Sequence, residues 1–166
     1  VNLMHIFIKN KKLFLNHYKI KCALGKRGIG VKKSEGDQIT PKGKFKITCI
    51  LYRKDRIPNF KCKITKLSIK KEMGWCDDPL SKYYNKLIRF PFKYSAEKLY
   101  RKDSTYDLIL VLNYNLNPIR KAKGSAIFIH VAKKNYKKTL GCIAVSKRDL
   151  KKIVEKINKS TNVNIS

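Results

Sequence analysis

Two stretches of this chain, residues 106–115 (YDLILVLNYN) and 125–132 (SAIFIHVA), are nearly continuous apolar runs of strand length. A strand of that kind offers water no polar face, so each has to lie inside a sheet covered on both sides. Lesser strand signals surround them. HIFI and LFL, on either side of Lys9 to Lys12, read as a β-hairpin, and KIKCAL as a third strand. KFKITCILY alternates apolar and polar, which puts Cys49 on the face of Phe45 and Ile47 as a small core residue.

Between these strands lies a glycine-rich segment, residues 25–43, with turn chemistry at Gly36-Asp37 and Thr40-Pro41. Residues 74–92 (GWCDDPLSKYYNKLIRFPF) mix Pro, Asp, Asn and aromatics without a period and read as a long structured loop. SAEKLYRKD reads as a short helix. After a short IAV strand, Leu150, Ile153, Val154 and Ile157 follow at i, i+3, i+4 and i+7 behind Ser146 and Asp149. That is an amphipathic helix with a capping-box-like start. The expectation is a strand-rich α+β domain with one helix near the C-terminus, and 166 residues suit one domain.

The net charge of +29 invites a nucleic-acid reading, but its make-up argues otherwise. Only seven of the 40 basic residues are Arg, and the lysines are spread along the chain instead of being gathered in one arm. Arg supplies the bidentate contacts that base and phosphate recognition favours. The charge reads as composition bias, with no specific nucleic acid expected. No apolar run approaches the roughly 18 residues of a membrane span. The first residues do not resemble a secretory signal, which makes a cytoplasmic chain the expectation, or an envelope protein if a leader was removed.

Cys22, Cys49, Cys62, Cys76 and Cys142 are odd in number and include no C-x-x-C pair, which argues against structural zinc and a disulfide framework. Gly28, Gly30 and Gly36 lack the strand-turn-helix context of a dinucleotide fingerprint. His5 and His17 read as surface residues, and Asp77 with Asp78 is too thinly supported for a metal site. No cofactor and no metal is expected.

One combination stands apart. His130 lies on the second apolar strand and Cys142 follows a short, very basic loop. Either alone reads as a core or turn residue. Together, on strands joined by a short loop, they are expected to be spatial neighbours. A free thiol is a few per cent ionised at neutral pH, so an imidazole beside it would lower its pKa or take its proton. Gly141 allows close backbone approach, and the N–H groups of Leu140, Gly141 and Cys142 are candidates for an oxyanion site.

The segment IHVAKKNYKKTLGCIAV resembles the signature of the L,D-transpeptidase catalytic domain, also called the YkuD domain. That pattern is Ile-His, a variable loop, then Ser/Thr, any residue, Gly, Cys and Ile or Val. Here it falls on Ile129-His130, Thr139, Leu140, Gly141, Cys142 and Ile143. EGDQITPKGKF, Glu35 to Phe45, is similar to the family's Gly-Asp-x-x-Thr-Pro-x-Gly segment. WCDDPLSKYYN, SAEKLYRKDSTYD, and NYN followed by KGSAIFIH look like one branch of the family.

The resemblance implies that residues 1–166 form a single YkuD-like domain, a mixed β-sandwich with the catalytic Cys on a strand-flanking loop. It implies Cys142 as nucleophile and His130 as general base, oriented by a backbone carbonyl. The implied partners are peptidoglycan stem peptides or muropeptides, attacked after the third residue to give an acyl-enzyme thioester, in cell-wall biogenesis and the upkeep of cell shape. Thr139, expected to shape the loop near the thiolate, Leu140 and Trp75 are the candidate substrate contacts. Trp75 reads equally as part of an ordinary Asp-Asp-Pro turn. Leu140 and Ala144 depart from the polar residues many members carry there. Two alternatives stand beside transpeptidation: an L,D-carboxypeptidase passing the acyl group to water in wall recycling, and a basic RNA-binding protein in which Cys142 is inert.

Overall fold

The first apolar run becomes the centre of a nine-stranded mixed sheet in the computed structural model, which describes residues 4–166. The N-terminal hairpin forms as expected, β1 (Ile6–Lys9) against β2 (Lys12–Leu15), with Ile6 opposite Leu15. β3 (Tyr18–Lys21) continues it antiparallel. A small parallel pair, β4 (Ile29–Gly30) and β5 (Thr40–Pro41), frames the glycine-rich segment. β6 (Gly43–Tyr52) is the longest strand, and β7 (Lys66–Ser68) pairs parallel with its end. β8 (Met73–Cys76), β9 (Leu87–Arg89) and β10 (Ala96–Lys98) form a separate three-stranded sheet.

The two apolar runs are β11 (Leu108–Leu112) and β12 (Phe128–Val131), and β13 (Ile143–Val145) lies beside β12. Helix α1 (Lys147–Lys156) starts with Ser146 Oγ accepting the Asp149 N–H at 3.1 Å and buries Leu150, Ile153 and Val154. β14 (Asn162–Ile165) then runs parallel to β1 and antiparallel to the first half of β6.

The order of the large sheet is β13-β12-β11-β6-β14-β1-β2-β3. Its last edge is not left open. Ala23, just past β3, exchanges both backbone hydrogen bonds with Ala144 in β13, at 2.8 and 3.0 Å, and Leu24 O accepts the Thr139 N–H at 2.9 Å. The sheet therefore curls back on itself as a flattened mixed sandwich, with its edge strands protected.

Both faces of β11 and β12 are covered, which explains their unbroken apolar character. Leu108, Leu110, Leu112, Ile129 and Val131 face an inner core with β1, β2 and α1. Ile109, Val111 and Phe128 face the opposite way, beneath Trp75, Leu99 and Tyr106 of the cap built on β8, β9 and β10.

Three sequence expectations change here. The stretch read as a loop supplies β8 and β9, and the stretch read as a short helix supplies β10, because pairing with β8 (Glu97 opposite Trp75) outweighs local helix propensity. Cys49 does not share its face with Ile47. A bulge at Thr48 sets Cys49 opposite Val111 and Ile47 opposite Leu112, so the alternation flips and Cys49 turns toward the cap.

Asn85 fastens the cap to the sheet. It is 2% exposed, and its Oδ1 accepts the Trp75 indole N–H at 2.9 Å and the Ala126 N–H at 3.0 Å. Its Nδ2 donates to Asn115 O at 2.7 Å. Replacing Asn85 with Ala strands two buried donors, so Asn85→Ala is expected to lower folding stability by about 2–5 kcal/mol. The urea midpoint of purified variant and parent checks this.

Candidate active site

β12 and β13 run parallel with Ile129 opposite Ile143 and His130 opposite Ala144. Carried back one residue, this register sets Cys142 beside Phe128, whose N–H approaches the Cys142 Sγ at 3.4 Å. Strand alternation puts Phe128, His130 and Cys142 on the cap side of the sheet, with His130 about 6–7 Å further along β12 than Phe128. The imidazole and the thiol line one cleft of about 390 Å³, together with Tyr106, Glu97, Lys32 and Leu140.

His130 is 6% exposed, and its Nδ1 lies 3.0 Å from the Val131 carbonyl. A carbonyl only accepts, so Nδ1 carries the proton and Nε2 keeps its lone pair. The Tyr106 ring packs edge-on to the imidazole, with centroids 5.4 Å apart, and its hydroxyl donates to Glu97. Burial pushes the imidazole down to about 4, and the nearby Arg101 and Lys133 charges push the same way.

The thiol is held in its neutral form as well. Cys142 Sγ donates to Ala126 O at 3.0 Å. Burial pushes the thiol up to about 12, the Glu97 and Glu35 carboxylates add to that, and the Phe128 N–H and Lys32 oppose it. The resting pair is a neutral thiol and a neutral imidazole. Of the two modes of activation expected from the sequence, lowering the resting thiol pKa is the one this geometry does not provide.

The connecting loop is organised by Thr139, whose hydroxyl donates to Cys142 O at 2.6 Å and accepts the Gly141 N–H at 3.1 Å. Thr139 shapes the loop as expected, but its hydroxyl is spent on backbone. The Gly141 N–H, a candidate oxyanion donor in the sequence, is therefore already engaged. The Leu140 and Cys142 N–H groups have no acceptor among the described residues, and the Cys142 N–H belongs to the residue that carries the sulfur. Gly141 itself adopts φ +142°, and a Cβ there would stand 3.1 Å from Ile39 O.

Leu140 is 68% exposed at the cleft rim. Trp75, expected to contact substrate, is instead buried in the core beneath the cap and does not line the cleft, its ring edge-to-face with Phe128 at 5.3 Å. Asp77 accepts from Ser95 Oγ at 2.7 Å, and Asp78 accepts the Leu80 N–H at 3.0 Å, which is turn chemistry. Among the described residues no group of three or more His, Cys, Asp or Glu side chains is placed to hold a metal. All five cysteines are free, His17 is exposed, and His5 accepts the Asn162 N–H at 3.0 Å.

Sequence reasoning passed over Lys32, Glu35, Glu97 and Tyr106. Glu97 was hidden in the supposed helix, and only the clustering of Glu35, Asp77 and Glu97, three of 11 acidic residues, at one cleft marks them.

The family model for the L,D-transpeptidase catalytic domain (YkuD) matches residues 2–165. The chain belongs to that family. Its members are cysteine-dependent L,D-transpeptidases that act on peptidoglycan. A comparison with curated proteins finds no match. No helix among the described residues is long and apolar enough to cross a membrane.

The buried imidazole has a consequence for folding. An unfolded chain protonates its histidine near pH 6.5, whereas folded His130 does so only near 4. The unfolded state therefore binds more protons between those values, and stability present above about pH 6.5 falls as pH drops toward 4. The loss is expected to reach about 3 kcal/mol, and His130→Asn to remove that part of the slope. Urea titrations at several pH values compare the two proteins.

Proposed function

We propose that residues 1–166 are a single catalytic domain performing cysteine acyl transfer on peptidoglycan stem peptides, with Cys142 as nucleophile and His130 as general base. The observation that carries this reading is the pairing in one cleft of a thiol with an imidazole whose Nε2 lone pair is kept free by the Nδ1 contact with Val131 O. Because both groups rest neutral, the proton moves when substrate arrives. The Cys142 S–H proton passes to Nε2 as sulfur bonds to the carbonyl carbon, and the carbonyl π electrons move to oxygen. The Cys142 and Leu140 N–H groups are the donors available to that oxygen. Collapse breaks the C–N bond, the imidazolium returns its proton to the departing amine, and a thioester remains. An amine of a second stem peptide, or water, then resolves it.

Transpeptidation and hydrolysis share every residue named here and differ only in the acceptor. The exposed rim of the cleft carries apolar Leu140 where many relatives carry a polar side chain, so water is expected to compete well with an ordered amine. Basic side chains remain compatible with weak, salt-sensitive association with polyanions.

The test supplies purified protein with a disaccharide-tetrapeptide, with and without an excess of a second stem peptide, and reads the products by mass spectrometry. Tripeptide release at least comparable to cross-linked dimer is expected, through a covalent adduct on Cys142. Cys142→Ala and His130→Asn are each expected to lower turnover by at least about a hundredfold while leaving the protein folded. Dominant dimer with negligible tripeptide would assign the acceptor as an amine. Undiminished turnover in Cys142→Ala would end the proposal.

A further inference from the structure

Lys32 is unlike the other lysines that dominate this surface. Its side chain is 3% exposed, and its ammonium pairs with Asp37, itself 7% exposed, at 2.6 Å. Lysine is almost never buried without a partner, and this one has been given a built channel. A Cβ on Gly124 would come within 2.4 Å of Lys32 Cε and 3.0 Å of its Cδ, so the stem passes where only glycine leaves room. At the far end, a Cβ on Gly141 would stand 3.5 Å from the Lys32 Nζ. Gly124 thus makes room for the Lys32 stem, and the ammonium ends in ordinary contact range of Gly141, which immediately precedes Cys142.

The ammonium donates to Asp37 Oδ1 and, at 3.3 Å, to Ile39 O. An ammonium has three donors, so one remains, and Lys32 lines the cleft that holds the thiol. The groups that bear most on the sulfur are Lys32 itself, Glu97 on β10, Glu35 ahead of β5, Tyr106 ahead of β11 and His130 on β12, while Lys26, Asp77, Arg101, Lys133, Lys137 and Lys138 also line the cleft. The Glu97 and Glu35 carboxylates oppose an anion at sulfur, and Glu35 is fixed in place by hydroxyl donors from Tyr84 and Ser125. Against them, Lys32 is the cation set behind the nucleophile's own loop. Asp37 holds it in place: burial works to raise this carboxyl, but four donors, Lys32 Nζ and the N–H groups of Lys33, Ser34 and Ile39, bring it well below the usual carboxylate range.

We propose that Lys32 is the fixed cation of this active site, a positioning residue whose buried ammonium behind the Gly141–Cys142 peptide stabilises the negative charge that develops at Cys142 and at the attacked carbonyl oxygen. The inference rests on the reading of Cys142 as nucleophile. It places the cation next to Gly141, whose φ of +142° and close approach to Ile39 O already favour glycine. It also gives the Gly-Asp segment before β5 an electrostatic role, as the part that anchors the cation by an ion pair.

The experiment follows alkylation of Cys142 by iodoacetamide at pH 8, resolved by peptide mass, with Cys62 as the internal reference. It reads the thiol whether or not the protein turns over peptides, so its failure is separate from failure of the proposed activity. Opposite signs are expected from two variants. Asp37→Asn leaves the ammonium without its counter-charge and should speed Cys142 alkylation at least threefold. The double variant K32M/D37N, which replaces a neutral pair of charges by two uncharged side chains, should slow it about tenfold, with Cys62 unchanged in both. In the muropeptide assay the double variant should lose kcat with little change in KM. No change, or a change of the same sign in both variants, would overturn the proposal. If the double variant does not fold, Asp37→Asn alone decides it, and unaltered or slower alkylation refutes it.

Discussion

Burial of β11 and β12 on both faces is the constraint from which the rest of this molecule follows. A sheet of apolar strands with one face on α1 and the N-terminal hairpin needs a second cover, and β8, β9 and β10 supply it. That cover makes the cleft. Phe128, His130 and Cys142 project from the sheet into the space beneath the cap, and Tyr106 and Glu97 close on them from its edge. The position of Cys142 is thus a by-product of the packing rule: it sits just before β13, where the second layer leaves a gap.

The charge lining that gap is mixed instead of uniformly basic, with Glu35, Asp77 and Glu97 set among six basic side chains, despite the +29 charge of the chain. Desolvation keeps thiol and imidazole neutral, carboxylates lean against an anion, and a paired lysine leans the other way. At rest the cleft therefore holds a neutral thiol and a neutral imidazole, not a thiolate–imidazolium pair. Such a thiol reacts slowly with small electrophiles, and charge separation is favoured when a bound molecule excludes water from the cleft.

Much of this was legible in the sequence. β11 and β12 declared themselves by unbroken apolar runs, α1 by its periodicity and Ser146 cap, and the His130–Cys142 pair by strand ends joined through a short loop. What escaped has a common cause, which is dependence on partners distant in the chain. Glu97 is a strand residue only because Trp75 lies opposite it. Cys49 changes face because one residue, Thr48, is extra relative to β11, a register fact invisible to alternation. The Gly141 N–H was expected to face a substrate, but Thr139 two residues earlier takes it. β14 was missed because four residues of Asn-Val-Asn-Ile are too short a pattern without β1 and β6 to flank them.

The bonds between Ala23, Leu24 and the segment around Cys142 carry one more implication, for the order of assembly. The loop that presents the thiol is stitched to residues just after β3, while β14, beyond α1, inserts between β1 and β6. Contacts of such long sequence separation are slow to form, because loop closure has to be met before any pairing is gained. A growing or half-collapsed chain therefore contains the cysteine but not the site. The cleft shared by Cys142 and His130 is in that sense a product of complete assembly, and any chemistry it performs is confined to the fully paired chain.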